Sequence, residues 1–474
     1  MGLITRRPVS AAAGVSPVVN LSHTPSLAGR QRWVLALTAA AALLIGLDAS
    51  VVATALTAIR VDLHASNEEL EWTVNAYTLS FAVLLLTAAA LGDRFGRRRV
   101  FVAGLAIFAA ASAACALAPN VSWLIAARAV QGAGAAAVMP LALALLGVAI
   151  PPQVRARALG TFTAVVGASV PAGPLLGGAI VAGTSWQWIF WINLPIVAVL
   201  IPLTLARIEP SRGPRVRLDM PGLFLATGAA SGLVLGLVRA NTVGWGSVET
   251  LALLGTGLIL TAVFIVVELR TDQPMLSVRL FAVPAFAAGN AAIFFVWASA
   301  FGSLYFMAQF LQDGLSSPPL TAGLQLMPWG AMTVIVPRLV GSQIHRFGER
   351  PFAVGGMLVH GVSMLWIAAL AAPEASYGQF IAPLVLSGVG VAAAIPAAQS
   401  AVLGAVPPSA IGKASGAYSV FRQLGGAFGV AAMVAVFSAS GGYASAGEFT
   451  AGFAAAMVAC GLFAAGAVLA GLAL

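Results

Sequence analysis

Asp48 is the acidic residue that lies deepest in an apolar segment of this sequence; the other acids in such segments lie near segment ends, namely Glu71, Glu268 and Asp313. A carboxylate at mid-depth in a bilayer costs about 2.5 to 3.5 kcal/mol on insertion scales, so it usually faces a polar cavity or a partner. Such a carboxyl group can bind a proton and release it as its access to the two sides changes. Asp48 is therefore a candidate proton carrier, and the alternative is a structural ion pair.

Arg128 is the basic residue best placed to meet Asp48. Asp48 lies about eleven residues before the outer end of the first apolar segment, and Arg128 about seven residues after the outer start of the fourth. At about 1.5 Å per residue their depths differ by about 6 Å. The i, i+3 and i+4 spacing puts Gln131 and Gly132 on the same helix face as Arg128. Alternatively, Arg128 only holds helices together through backbone carbonyls.

Small residues and a proline mark the fifth apolar segment, at Gly160, Gly173, Pro174, Gly177 and Gly178. Gly173 and Gly177 form a GxxxG pair, which lets two helix backbones approach closely. A helix bent by proline and lined by glycine can also act as a seal that opens and closes. The alternative is that these residues serve packing alone.

Four aromatic residues recur at helical spacing on one face of the ninth segment: Phe294, Trp297, Phe301 and Tyr305. Such a stripe can stack on flat amphipathic molecules, although packing or lipid contact is the competing interpretation. Arg422 is deep enough in the thirteenth segment to need a polar partner or cavity. We place the stripe, Gln131 and Arg422 in a candidate substrate cavity; the parts of Arg338 and His360 are left open.

The composition requires a membrane. Of 474 residues, 60% are hydrophobic and 8% charged, against about 25% charged in soluble domains. This excludes a cytosolic enzyme and, despite the net charge of +9, a nucleic-acid binder. The sequence has no GxxxxGK[ST] or HExxH motif and no second acid beside Asp48, so we expect no enzyme activity, nucleotide, metal or other cofactor.

Apolar segments long enough to cross a bilayer recur along the chain and predict about fourteen transmembrane helices, an all-α integral membrane protein. They begin near Trp33, Glu71, Val100, Val121, Ala158, Gln187, Pro221, Thr250, Phe286, Ala322, Phe352, Gly378, Ala414 and Phe449. Most Arg and Lys residues fall on one side of this arrangement, which predicts that both termini are cytoplasmic.

An internal repeat divides the chain. Residues 89–98, which end in GDRFGRR, are echoed by residues 341–350, each two helices into its half. Repeated halves are typical of transporters. We predict a flexible cytoplasmic tail at 1–32, a six-helix bundle at 33–208, a linker with two inserted helices at 209–270, and a second six-helix bundle at 271–474.

Four motifs resemble those of the major facilitator superfamily, specifically its fourteen-helix drug:proton antiporter family. The first helix carries LDxxVV at Asp48, and the loop after the second carries Gly92, Asp93, Arg94, Gly96, Arg97 and Arg98. The fourth helix has RxxQG at Arg128, and the fifth has the antiporter motif from Gly160 to Gly178. Departures from the family pattern are Ala89, Ser169, Gln187, and Arg338 and Arg422 where some multidrug members carry acids.

The resemblance implies a major facilitator fold and proton-coupled export of small amphipathic drugs or antibiotics by alternating access, without a cofactor beyond the proton motive force. It implies a bacterial cytoplasmic membrane, with lipid, protons and a small molecule as partners and no nucleic acid or nucleotide. It also implies that the loop at residues 92–98, which we call the switch loop, governs conformational switching. Asp93 would lie near the N-terminal end of the thirteenth helix when the inner side is closed. The alternatives are a narrow-specificity exporter of a metabolite or self-made antibiotic, a proton symporter, and a non-transporting membrane sensor.

Overall fold

A computed structural model of the protein describes residues 29–151, 165–212, 219–272, 276–407 and 410–474, together with residues 2, 154, 158, 161, 162 and 274. Within these residues the regular structure is entirely helical. Nearly all of the predicted tail at 1–32 lies outside the described residues, as does Gly160 of the antiporter motif.

The described residues of the first half form seven helices. They are α1 (Gly29–Leu63), α2 (Asn67–Phe95), α3 (Arg97–Ala116), α4 (Val121–Ala149), α5 (Ser169–Gly183), the short α6 (Trp188–Trp191) and α7 (Asn193–Arg207). In this half α4 packs against α2, α3 and α1, while α5 packs along α1.

Two helices, α8 (Met220–Val243) and α9 (Val248–Arg270), pack mainly on each other and follow the first half. The second half contains α10 (Pro284–Gln309), α11 (Pro319–Gln325), α12 (Met327–Phe347), α13 (Arg350–Leu370), α14 (Gly378–Gly404), α15 (Ile411–Ser440) and α16 (Ala446–Leu472). A 3-10 turn at Val278–Ala282 precedes α10, and a π turn at Phe310–Gly314 ends it.

Among the described residues, 13 helices are long and apolar enough to cross a membrane, and the apolar stretch Ala172–Gly183 adds a shorter one. The protein is therefore a multi-pass membrane protein, and the prediction of about fourteen spans is confirmed. Helix starts differ from the predicted ones by a few residues. For example, α2 begins at Asn67 rather than Glu71, because Ser66 and Glu69 form a capping box that the hydropathy pattern does not register.

One end of the molecule carries the turns after α1, α3, α8, α10 and α15, which the Arg and Lys distribution predicts to face outward. We call it the outer end. The halves contact each other along two lines, α5 against α11 and α12, and α2 against α15, while α8 touches both α2 and α15. The interface between the halves is thus formed by helices in matching positions of each half.

Small residues give α5 two close-packed faces. A side chain at Gly173 or Gly177 would collide with Ser50 or Thr54 of α1. A side chain at Gly178 would collide with Pro319 of α11, so the opposite face of α5 approaches the second half equally closely. The GxxxG pair therefore allows α5 to approach α1 while its other face forms part of the interface between the halves.

The repeated loop motif adopts matching backbone geometry in the two halves. Gly96, between α2 and α3, has φ +108°, and Gly348, between α12 and α13, has φ +79°. Only glycine adopts such positive φ values at low cost, so both tight corners depend on it. The repeat read from residues 89–98 and 341–350 is therefore reproduced in the backbone.

Replacing Gly173 by leucine should destabilise the protein. The nearest backbone atom to an added Cβ, the carbonyl carbon of Ser50, lies 3.1 Å away, so α5 must move off α1. Overpacking of this kind costs about 1 to 3 kcal/mol. Thermal unfolding in detergent should show a lower midpoint for Gly173→Leu, but not for Gly183→Leu, because nothing lies within 4 Å of Gly183 at the exposed end of the same helix. Equal midpoints for the two variants would contradict the close packing of α5 on α1.

Candidate functional site

Asp48 and Arg128 meet in a direct, buried ion pair. Arg128 Nη1 donates to Asp48 Oδ2 at 2.6 Å, and both side chains are 1% exposed. The other carboxylate oxygen, Oδ1, accepts hydrogen bonds from Gln131 Nε2 at 2.7 Å and from Asn193 Nδ2 at 3.0 Å. Asp48, Arg128 and Gln131 thus lie together in one cluster, at the similar depth that the sequence predicted for Asp48 and Arg128.

Arg128 is held on several sides. Its Nε donates to the backbone carbonyl of Thr73 on α2 at 3.0 Å, and Nη1 also donates to Gln131 Oε1 at 2.8 Å. The ring of Tyr77 lies under the guanidinium, 4.2 Å from it. The guanidinium therefore connects α1, α2 and α4. Arg128 both pairs with Asp48 and holds helices together through a backbone carbonyl.

The hydrogen-bond partners of Asp48 suit a carboxylate group. Each of the three hydrogen bonds to its carboxyl group comes from an N–H donor. A protonated carboxyl would need an acceptor for its O–H, and would give up one of these bonds. The arrangement therefore fits the ionised carboxylate, neutralised by Arg128, and protonation requires this cluster to rearrange.

Asn193 and Ser112 belong to the same cluster, although their roles were not predicted. Asn193 Nδ2 also contacts Ser112 Oγ at 2.9 Å, and Ser112 Oγ donates to the carbonyl of Phe190 at 2.8 Å. Asn193 begins α7, so its amide reaches inward from the first turn. The sequence signal was the run from Trp186 to Pro195, in which Asn193 is the one polar residue of the WIFWIN segment.

The predicted switch loop lies at the inner end, opposite the outer end. Asp93 Oδ1 accepts from Arg97 Nε at 2.7 Å, one turn further along the chain. Arg98 Nη1 donates to the carbonyls of Leu205 and Ile208 at 3.0 and 2.8 Å, where a cation suits the negative end of α7. Asp93 is thus paired with Arg97 in this conformation.

The two glycines of the switch loop have separate roles. A side chain at Gly92 would collide with Leu141 of α4, so glycine there allows α2 and α4 to pack closely. Gly96 supplies the positive φ of the corner. Arg94 is exposed, and its guanidinium lies 5.3 Å from the Phe95 ring.

The aromatic stripe of α10 divides between different surroundings. Tyr305 is 3% exposed and belongs to a buried apolar cluster near the outer end. Phe294 packs on Phe428 of α15 with ring centroids 5.6 Å apart, and Trp297 packs on Phe301 at 5.3 Å. Phe294, Trp297 and Phe301 remain partly exposed, so three of the four residues can border a cavity.

Arg422 approaches this stripe from α15. Its guanidinium lies 5.2 Å from the centre of the Trp297 ring, and Nε donates to Gln423 Oε1 at 3.2 Å. His360, by contrast, is fully buried within the second half, where its ring nitrogens hydrogen-bond to Ser299 at 2.8 Å and Ser387 at 2.9 Å. His360 thus has a packing environment, whereas Arg422 faces the partly exposed aromatics. Arg338 lies on α12.

Glu71 is a buried acid whose importance hydropathy alone did not reveal. It is 0% exposed, and Oε1 accepts from Asn75 Nδ2 at 3.1 Å. Its Oε2 has no hydrogen-bond partner among the described residues, and none of the ion pairs found there includes it. The sequence places Glu71 near a helix end, where acids are usually exposed, so the sequence did not predict that this side chain is buried.

The halves are joined at the outer end by polar contacts. Arg60 at the end of α1 pairs with Asp313 at 3.0 Å and lies over the Tyr443 ring at 4.1 Å. Gln312 Nε2 donates to the carbonyl of Thr54 at 3.1 Å. Burial raises the pKa of Tyr443, whose neutral hydroxyl donates to Gln309 Oε1 at 2.5 Å. The outer side is therefore closed by contacts between α1 and the second half.

Comparisons with known proteins agree with this architecture. The Major Facilitator Superfamily model matches residues 38–430. The chain is 36% identical to the tetracenomycin C resistance and export protein of Streptomyces glaucescens, over 87% of this chain and 77% of the relative. It is 35% identical to the cephamycin export protein CmcT of Amycolatopsis lactamdurans, over 90% and 89% of the two chains.

Similar folds occur among solved structures. A peptide transporter POT bound to sulfate has a TM-score of 0.67 at 16% identity, covering 93% of this chain and 95% of that one. The xylose transporter XylE from E. coli, in an inward-open conformation, has a TM-score of 0.63 at 14% identity, covering 92% and 95%. At these identities the likeness shows the fold alone.

Removing the charge of Arg128 should destabilise the protein more than removing both charges. Arg128→Gln leaves the Asp48 carboxylate buried without its cation, which costs about 3 to 5 kcal/mol. In Asp48→Asn/Arg128→Gln no buried charge remains, so the thermal unfolding midpoint should recover toward that of the wild type. A double variant no more stable than Arg128→Gln would show that the two charges are not coupled.

Proposed function

Since the chain belongs to the Major Facilitator Superfamily, we propose that it is a proton-coupled antiporter that exports small amphipathic drugs or antibiotics across the bacterial cytoplasmic membrane. Relatives that are 30–36% identical carry names of antibiotic or multidrug resistance and export proteins, which supports export as the direction. Energy comes from the proton gradient and not from a bound nucleotide or another cofactor.

The single observation that carries the proposal is the buried Asp48 carboxylate, whose neutralising partner Arg128 lies on another helix. The site can therefore exist in two protonation forms that differ by one unit of charge. In the first form the carboxylate pairs with Arg128. In the second a proton neutralises Asp48, and Arg128 is free to rearrange. Because the two forms favour different helix arrangements, proton binding can bias which side of the protein is open.

We assign this arrangement to the stage after proton release. Its outer side is closed by the Arg60–Asp313 contact, and the donors around Asp48 fit an ionised carboxylate. In a proton antiporter, that stage follows proton delivery to the cytoplasm and precedes export of the drug. Rocking of the two halves about the α5–α11 and α2–α15 lines would open the outer side and allow Asp48 to take up the next proton.

A second candidate keeps the fold and narrows the cargo to one antibiotic or metabolite. It is favoured by relatives named for single compounds, such as tetracenomycin C and cephamycin. Both candidates need Asp48. The two candidates differ in the range of substrates that they export. A panel of unrelated dyes and antibiotics distinguishes them, because a narrow exporter moves one chemical class.

Asp48→Asn should abolish proton-driven export. In everted vesicles or proteoliposomes with an imposed proton gradient, wild-type protein should accumulate a substrate that Asp48→Asn does not, at matched protein level. Asp272→Asn is the control, because Asp272 is an exposed acid in the turn after α9. Undiminished accumulation by Asp48→Asn would mean that the proton binds elsewhere.

Asp93→Asn should slow transport and leave membrane insertion intact. The change keeps the size of the side chain but weakens the charged hydrogen bond from Arg97. The Arg97 side chain is 16% exposed, and the pair lies at the inner end of α2. The rate of export, normalised to the amount of folded protein by size-exclusion chromatography, measures the effect. A normal rate would remove the loop between α2 and α3 from the switching mechanism.

A further inference from the structure

Arg422 carries a positive charge into the middle of the protein. It is the twelfth residue of α15, which begins at Ile411, so it lies about 16 Å from the inner end of that helix. Among the described residues, none of the ion pairs includes Arg422. A cation at this depth normally has a named partner or a function.

The electrostatic neighbours of Arg422 are uncharged. They are Tyr418 on its own helix and Tyr77 of α2, across the interface between the halves. Asp48 is already neutralised by Arg128, and Glu71 interacts with Glu68 and Tyr305 instead. The Asp48–Arg128 pair sums to zero, so Asp48 does not balance the charge of Arg422.

The guanidinium of Arg422 keeps donors available for a ligand. Nε is used by Gln423, whereas none of the hydrogen bonds found among the described residues uses Nη1 or Nη2 of Arg422. The residue as a whole is partly exposed. Two parallel N–H donors of a guanidinium match the two oxygens of a carboxylate.

A flat apolar surface adjoins these donors. Trp297 lies 5.2 Å from the guanidinium and packs on Phe301 with ring centroids 5.3 Å apart, and both rings are partly exposed. A ligand that combines an aromatic ring with an acidic group would contact the rings and the cation together. Neither a free inorganic anion nor a polycationic drug would use both features.

We propose that Arg422, with Trp297 and Phe301, forms the binding site for the acidic group of an aromatic substrate, so that the exported molecules include aromatic carboxylates and similar acids. The inference rests on the proposed export function and names its substrate class. An inside-negative membrane potential also favours outward movement of an anion. Arg422 therefore supplies the charge complementarity, and the two rings supply the apolar contact.

Equilibrium binding to the purified full-length protein in detergent tests this site. The probes are 2-naphthoate and its methyl ester, which share the ring and differ in charge. Wild-type protein should bind the acid about tenfold more tightly than the ester, as expected for one charge-assisted hydrogen-bonded pair. Arg422→Gln should lose that preference. Arg422→Lys should keep part of it, because an ammonium group retains the charge but lacks the two parallel N–H donors of a guanidinium.

Arg239→Gln is the matched control, since Arg239 lies near the outer end of α8, where it pairs with Glu249 at 3.2 Å. It should retain the wild-type preference. Equal wild-type affinities for acid and ester, no measurable affinity for the acid, or an unchanged preference in Arg422→Gln would overturn the proposal. If Arg422→Gln does not fold, the wild-type comparison and Arg422→Lys decide. The assay needs no gradient, so it measures binding by the wild-type protein separately from transport; a failure of export alone therefore leaves this inference standing.

Discussion

The buried ion pair between Asp48 and Arg128 is the constraint around which the first half of the protein is organised. Removing one charge from such a pair leaves the other charge buried without a partner, which lowers the stability of the folded protein by several kcal/mol. The surrounding helices therefore contribute a carbonyl at Thr73 and amides at Gln131 and Asn193 to complete the cluster. Because these partners come from different helices, a change in the charge of Asp48 acts on the packing of several helices at once.

Small residues make that packing able to change. The glycines at 173, 177 and 178 let α5 contact α1 on one face and α11 on the other without interlocking side chains. Contacts between smooth helix faces can slide or rock at low cost, whereas the outer side is held by directional contacts such as the Arg60–Asp313 pair. The structure thus combines a smooth interface of small residues with directional polar contacts at the outer end.

The sequence predicted the number of spans, the repeat and the Asp48–Arg128 meeting, because hydropathy, backbone corners and depth are all properties of position along the chain. It did not predict the burial of Glu71 or the role of Asn193, because these depend on how each helix is rotated about its axis. Position along α10 explains why Tyr305 is buried near the outer end while Trp297 contacts Arg422, although both lie on one stripe. Most helices of this protein carry apolar residues on every face. The amphipathic pattern that would indicate which face of a helix is buried is therefore weak.

The mechanism proposed above depends on Asp48 exchanging protons for the transported molecule. The most direct measurement follows internal pH in proteoliposomes with a trapped pH-sensitive dye, while a substrate gradient is imposed in the absence of any proton gradient. We expect wild-type protein to move protons against the direction of substrate flow, and Asp48→Asn to move none. Substrate flow without proton movement in the wild type, or proton movement that persists in Asp48→Asn, would contradict it.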